Sequence, residues 1–226
     1  QLMYKALFEL SRDRADFLSR LFSRKRPAGL KSDSSARELM QAFEKQQPSD
    51  ALLQLTLKEI RDLFVVKKGL RLASNDLEGI EYVLNAFRKF GSGLDYNSTQ
   101  SGQPFYGRPA NYAELMTVMD PEGRPQSYLA SEANYRLLKD MQSRNLIIPV
   151  VGNFAGPKAI RSVSAYLKSK AITVSAFYTS NVEQYLEAGA SWGAFCGNAL
   201  TLPLDTDSTF IRSIRSEEHT SELQSH

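Results

Sequence analysis

The sequence predicts an α/β fold, Rossmann-like, with a mostly parallel sheet, flanking helices and a helical insertion, truncated at both ends. Two predicted strands carry that prediction, the wholly apolar run Leu146-Ile147-Ile148-Pro149-Val150-Val151 and residues 172–178. Each has the length and texture of a strand buried on both faces. Helical patterns follow both runs, and strand, helix, strand, helix at this spacing implies parallel strands joined by crossovers. With 226 residues, 42% of them hydrophobic, the chain is long enough to bury a core.

The first ninety residues read as helices. Leu2, Ala6, Leu7 and Leu10 make one apolar stripe, and Ser11 is placed to cap a second helix carrying Phe17, Leu18, Leu21 and Phe22. Arg24-Lys25-Arg26 closes that helix, where cations complement its dipole. Pro27-Ala28-Gly29 interrupts the pattern. Ser35 and Glu38 then form a capping box ahead of Leu39, Met40 and Phe43, and Thr56 with Glu59 forms another ahead of Ile60, Leu63 and Phe64. Gly69 suits the end of that helix. One more helix begins after Ser74, carries Leu77, Ile80, Leu84 and Phe87, and stops at Gly91.

From 92 to 126 glycine, serine and proline break up regular structure, while Tyr96, Phe105, Tyr106 and Tyr112 stay interleaved. Such a loop serves equally well as the wall or lid of a pocket, or as a segment that pins itself to the domain. A short helix fits residues 114–119, and Asp120-Pro121-Glu122-Gly123 reads as a turn. Ser131 caps a helix through Tyr135, Leu138 and Met141. After the first apolar run, Gly152-Asn153-Phe154-Ala155-Gly156 turns into a helix opened by Pro157 and carrying Ile160, Val163, Tyr166 and Leu167. Ser180 with Glu183 boxes the helix after the second run, and residues 192–202 read as a further strand. The expected organisation is therefore one partial domain over 1–214, helical over 1–91, loop-rich over 92–126 and βα over 127–214.

The last twelve residues, 215–226, match one reading frame of a common sequencing-adapter oligonucleotide and are expected to be non-native. Setting that tail aside removes one Arg, three Glu and both histidines. It leaves 27 basic and 22 acidic residues, a net charge of +5 rather than +3. Without histidine, residues 1–214 cannot assemble a Ser-His-Asp or Cys-His system or a histidine-ligated metal site, so no metal is expected. The single Cys196 suits a reducing compartment, and no apolar stretch is long enough to span a membrane. The expectation is a cytoplasmic protein with no membrane partner and no clear nucleic-acid signal.

In an open parallel sheet, ligands bind beyond the carboxyl ends of the strands. Those ends are the Gly152–Gly156 turn and Thr179-Ser180-Asn181. Gly152 and Gly156 would let a ligand approach the backbone, or serve only the geometry of a tight turn. Asn153 offers a donor and an acceptor. Candidate binding residues are thus Gly152, Asn153, Phe154, Gly156, Ser180 and Asn181, with Tyr106 and Tyr112 on the covering loop. None is a candidate for acid–base chemistry, and the catalytic residues, if any, are unknown. A P-loop is absent: three residues rather than four separate the glycines, and Ala159 follows Lys158.

Residues 4–18, 127–132, 149–158 and 176–186 together resemble an uncharacterised bacterial protein family, most plainly in Pro149-Val150-Val151-Gly152-Asn153-Phe154-Ala155-Gly156-Pro157-Lys158. That family resembles S-adenosylmethionine-dependent methyltransferases in fold. The resemblance implies S-adenosylmethionine as a possible cofactor, its main anchors lying before residue 1. It also implies that Asn153-Phe154 stands at the strand end where such enzymes hold an acceptor nitrogen, although the family usually has Asp at 153. Two functions are therefore expected: a methyltransferase-like protein of unknown substrate, or a non-catalytic ligand-binding or interaction protein on the same fold.

Overall fold

A computed structural model describes residues 1–99, 108–188 and 191–212. The chain divides into two compact units, Gln1–Ile148 and Pro149–His226. The described residues form ten α-helices and two short strands, so the fold is mostly helical, and the expected Rossmann-like parallel sheet is not there.

The described residues of the first unit form seven α-helices: α1 (Leu2–Leu10), α2 (Arg14–Phe22), α3 (Ala36–Glu44), α4 (Asp50–Arg61), α5 (Ser74–Phe90), α6 (Tyr112–Thr117) and α7 (Glu132–Ser143). Their starts obey local chemistry. Ser35 and Glu38 form the expected capping box of α3, and Ser131 accepts the Asn134 N–H at the start of α7. Two caps differ from expectation. Asp13, not Ser11, caps α2 by accepting the Asp16 N–H. Ser49 caps α4 through the Leu52 N–H, which leaves Thr56 and Glu59 inside the helix rather than at its start.

These helices bury a core that includes Leu7, Phe8, Phe17, Leu21, Phe22, Phe43, Phe64 and Leu84. Phe8 lies 4.9 Å from Phe17 and 5.3 Å from Tyr135, ring centre to ring centre. The helix α7, expected in the βα part, packs instead on α1. Arg14 is 1% exposed, and its guanidinium reaches Glu132 Oε1 (3.0 Å) and the carbonyls of Leu129 (2.7 Å), Ser32 and Ser34 (both 2.8 Å). One buried cation thus ties two loops to α2. Arg24 lies past the end of α2, which closes at Phe22 with Ser23 as its cap, and its guanidinium donates to the Phe43 carbonyl at the end of α3 instead of to α2. Gly91, at φ +56°, ends α5 where a side chain would meet that guanidinium.

The second unit contains α8 (Ala159–Ser169), β1 (Ala176–Ser180), α9 (Val182–Ala188), α10 (Trp192–Ala199) and β2 (Thr209–Arg212). The two strands pair in parallel, Ala176 opposite Thr209, and make the whole sheet of the described residues. Ile160, Leu186, Phe195 and Leu202 form its small core.

Three expected strands are corrected. Residues 146–151 are not a strand: Leu146, Ile148, Val150 and Val151 are exposed, Val151 at 99%, and no described strand pairs with them. Pro149 supplies no N–H to a ladder there. In residues 172–178 the strand begins only at Ala176. Residues 192–199 are helical, because Phe195, Asn198 and Ala199 recur at helical spacing and are buried together. The Ser180–Glu183 box is replaced as well: Glu183 accepts from Thr179 Oγ1 (2.9 Å) and Arg212 Nε (2.7 Å). No described helix is long and apolar enough to cross a membrane.

Candidate functional site

An apolar cleft of about 330 Å³ opens in the second unit. One wall is a face of α8, from which Ile160, Val163 and Leu167 project at intervals of three and four residues. The opposite wall is Val174, Ala176 and Phe177, entering and along β1; Val150, Gly152, Phe154, Ala159 and Leu202 complete the lining. Every one of these residues is apolar or glycine.

The turn beside the cleft is held by its own hydrogen bonds. Asn153 Oδ1 accepts the Ala155 N–H at 2.9 Å, and the Asn153 carbonyl accepts the Gly156 N–H at 3.1 Å. From α10, Asn198 donates through Nδ2 to the carbonyls of Phe154 (2.9 Å) and Gly156 (2.8 Å), while its Oδ1 accepts from Arg161 Nε (2.8 Å). Asn198 is 2% exposed, so these bonds replace water for a buried amide. A Cβ on Gly152 would run into the Cβ of Ala159, and one on Gly156 would stand 3.2 Å from Asn153 atoms. Both glycines therefore answer to the packing of the turn itself.

The remaining predicted residues fall elsewhere. Ser180 and Asn181 are exposed and do not line the cleft; Ser180 lies at φ 51°, where the β1–β2 register shifts. Beside them, Glu183 is buried between Thr179 and Arg212, and the Arg212 hydrogen bond holds its carboxyl below the usual range. The Arg212 guanidinium also stands 5.5 Å over the Trp192 ring.

Tyr112 belongs to the core of the first unit. Its ring meets Phe22 and Phe87 edge-on at 5.8 and 5.2 Å, and its hydroxyl lies 2.6 Å from that of Tyr128. Burial pushes both phenols well above their ordinary pKa, so neither carries charge near neutrality. Tyr106 lies outside the described residues.

Of the eight predicted site residues, Gly152 and Phe154 line the cleft, and Asn153 and Gly156 shape the turn next to it. Asn198, which fixes that turn, carries no sequence signature: its partners lie 42 and 44 residues away. The α8 stripe is legible as the apolar face of a helix, but nothing in the sequence marks it as the wall of a cleft.

The lining does not fit S-adenosylmethionine. That cofactor presents a carboxylate, an ammonium, a sulfonium and ribose hydroxyls, and the residues lining this cleft offer no polar side chain to meet them. Among the described residues no three His, Cys, Asp or Glu side chains gather as a metal site.

The chain belongs to the family described as a domain of unknown function (DUF7790), whose model matches residues 1–226. The match runs through residues 215–226 and does not set that tail apart. No curated protein matches the chain.

Proposed function

We propose that this member of the family is a non-catalytic binding protein whose second unit holds an uncharged apolar group in the cleft between α8 and β1. The observation that carries this reading is the lining, eleven residues without a single polar side chain. Acid–base and nucleophilic catalysis need a titratable or nucleophilic group within hydrogen-bond reach of the substrate, and such a wall supplies none. Burial of apolar surface is what it does supply, at about 25 cal/mol for each Å² removed from water. The half-buried, free Cys196 suits the reducing interior of a cell, and we place the protein in the cytoplasm on that ground.

Titration of the full chain with N-phenyl-1-naphthylamine, an uncharged fluorescent probe, tests the reading. Saturable binding of one probe per chain is expected. Val163→Trp, which fills the cleft from α8, should weaken it at least tenfold without loss of helical circular dichroism. Equal affinity in that variant would place the binding elsewhere. Calorimetry with S-adenosylmethionine tests the methyltransferase reading in parallel: saturable binding, with transfer of a labelled methyl group to an acceptor, would replace the binding role by an enzymatic one.

A further inference from the structure

The segment after α4 sets exposed aliphatic and cationic side chains side by side. The chain passes from α4 into a π-helical turn, Asp62–Lys67, closed by the Lys68 N–H on the Leu63 carbonyl (3.0 Å) and the Leu70 N–H on the Phe64 carbonyl (2.9 Å). Gly69 at φ +63° makes the reversal possible. Leu63 and Phe64 anchor the turn in the core. Beyond them the chain is turned outward: Val65, Val66, Lys67, Lys68, Gly69, Leu70 and Arg71 are seven consecutive exposed residues, three aliphatic and three cationic, with no acid among them. Val66, at 74% exposure, stands at the tip.

The nearby charge is mainly positive. Lys68 pairs with Glu9 at 2.9 Å, and Lys58 with Asp62 at 3.4 Å. Arg61, Lys67 and Arg71 have no such partner among the described residues. Lys5 lies close by: burial first, and then the Lys68 ammonium, hold its pKa below the usual value.

From this turn we infer that the first unit docks peripherally on an anionic lipid surface, with Val65, Val66 and Leu70 entering the headgroup boundary and Arg61, Lys67 and Arg71 meeting lipid phosphates and carboxylates. Charge complementarity selects an anionic occupant. The shape selects a bilayer over an acidic protein, because the aliphatics project from a turn instead of lining a groove, and they include no aromatic anchor of the kind that fills a partner's pocket. A fluid interface accommodates such a projection, and each Lys or Arg near an anionic leaflet contributes on the order of 1 kcal/mol. The expectation of no membrane partner rests on the lack of a spanning helix, and a peripheral contact needs none. This inference is independent of the cleft in the second unit.

Sedimentation of the full chain with vesicles of phosphatidylcholine, with and without 30 mol% phosphatidylserine, tests it. Binding should require phosphatidylserine and weaken as salt rises. Val66→Asp should abolish it, and the pair Lys67→Gln with Arg71→Gln should weaken it about thirtyfold, at roughly fivefold per cation. All three side chains are exposed, so unchanged circular dichroism should show the fold intact. No sedimentation with phosphatidylserine, or sedimentation equal in Val66→Asp, would overturn the inference. So would binding to soluble polyglutamate that competes fully with the vesicles and ignores Val66→Asp, since that would mark the surface as a site for acidic protein.

Discussion

At the scale of single residues, two asparagines beside the cleft do different amounts of work. Asn153 closes a local turn with one side-chain bond at an exposed position, whereas Asn198 joins three partners across the second unit from a buried one. Asn153→Ala should therefore cost about 0.5–1.5 kcal/mol. Asn198→Ala, which leaves two carbonyls and a guanidinium N–H unmatched, should cost about 1–3 kcal/mol or more. Chemical denaturation of both variants checks the order, and a larger loss in Asn153→Ala would contradict it. The same comparison explains what the sequence can show of the site. Asn153 is legible because it stands in a glycine-framed turn after an apolar run. Asn198 is not, because its role exists only once α10 is folded against residues 42 and 44 positions earlier.

At the scale of elements, Glu183 links three of them, since its carboxylate joins β1 at Thr179, α9 on which it sits, and β2 at Arg212. Its folded pKa is lowered, first by the Arg212 hydrogen bond. The unfolded chain therefore takes up the proton more readily than the folded one. The stability this difference contributes is fully present above the ordinary glutamate value of 4.5 and is lost as pH falls through the lowered folded value. Acid titration should loosen the second unit over that window, and Glu183→Gln should remove the slope there; an identical acid profile in the variant would exclude the linkage. Helices are the elements easiest to read from sequence. Their 3.6-residue stripes and their caps at Ser35 and Ser131 are local, and both survive in the fold. Strands are harder, because a short apolar run specifies a strand only if a neighbour bonds its backbone. Residues 146–151 find no such neighbour among the described residues, and residues 192–199, despite Gly193 and Gly197, form α10 because that buries Phe195.

At the scale of the molecule, the two units differ sharply in what holds them. Among the described residues, 23 buried apolar side chains make the core of the first unit and four make that of the second. Conformational entropy opposes folding in both roughly in proportion to length, so the unit with less apolar burial per residue has the smaller margin. We therefore expect the full chain to melt in two calorimetric transitions, the second unit first. Variants assign them. Arg14→Ala removes the buried cation that Glu132 and three carbonyls surround, and breaking a pair of this kind costs about 3–5 kcal/mol. For a unit of this size that should lower the upper transition by roughly 10 °C and leave the lower one in place. Asn198→Ala should do the reverse. A single transition moved by both variants would mean that the units unfold as one body. A cleft carried by the less stable unit would then take its ligand dependence from the whole chain; if the transitions separate, saturating probe should raise the lower one alone, because a ligand stabilises only the unit that binds it.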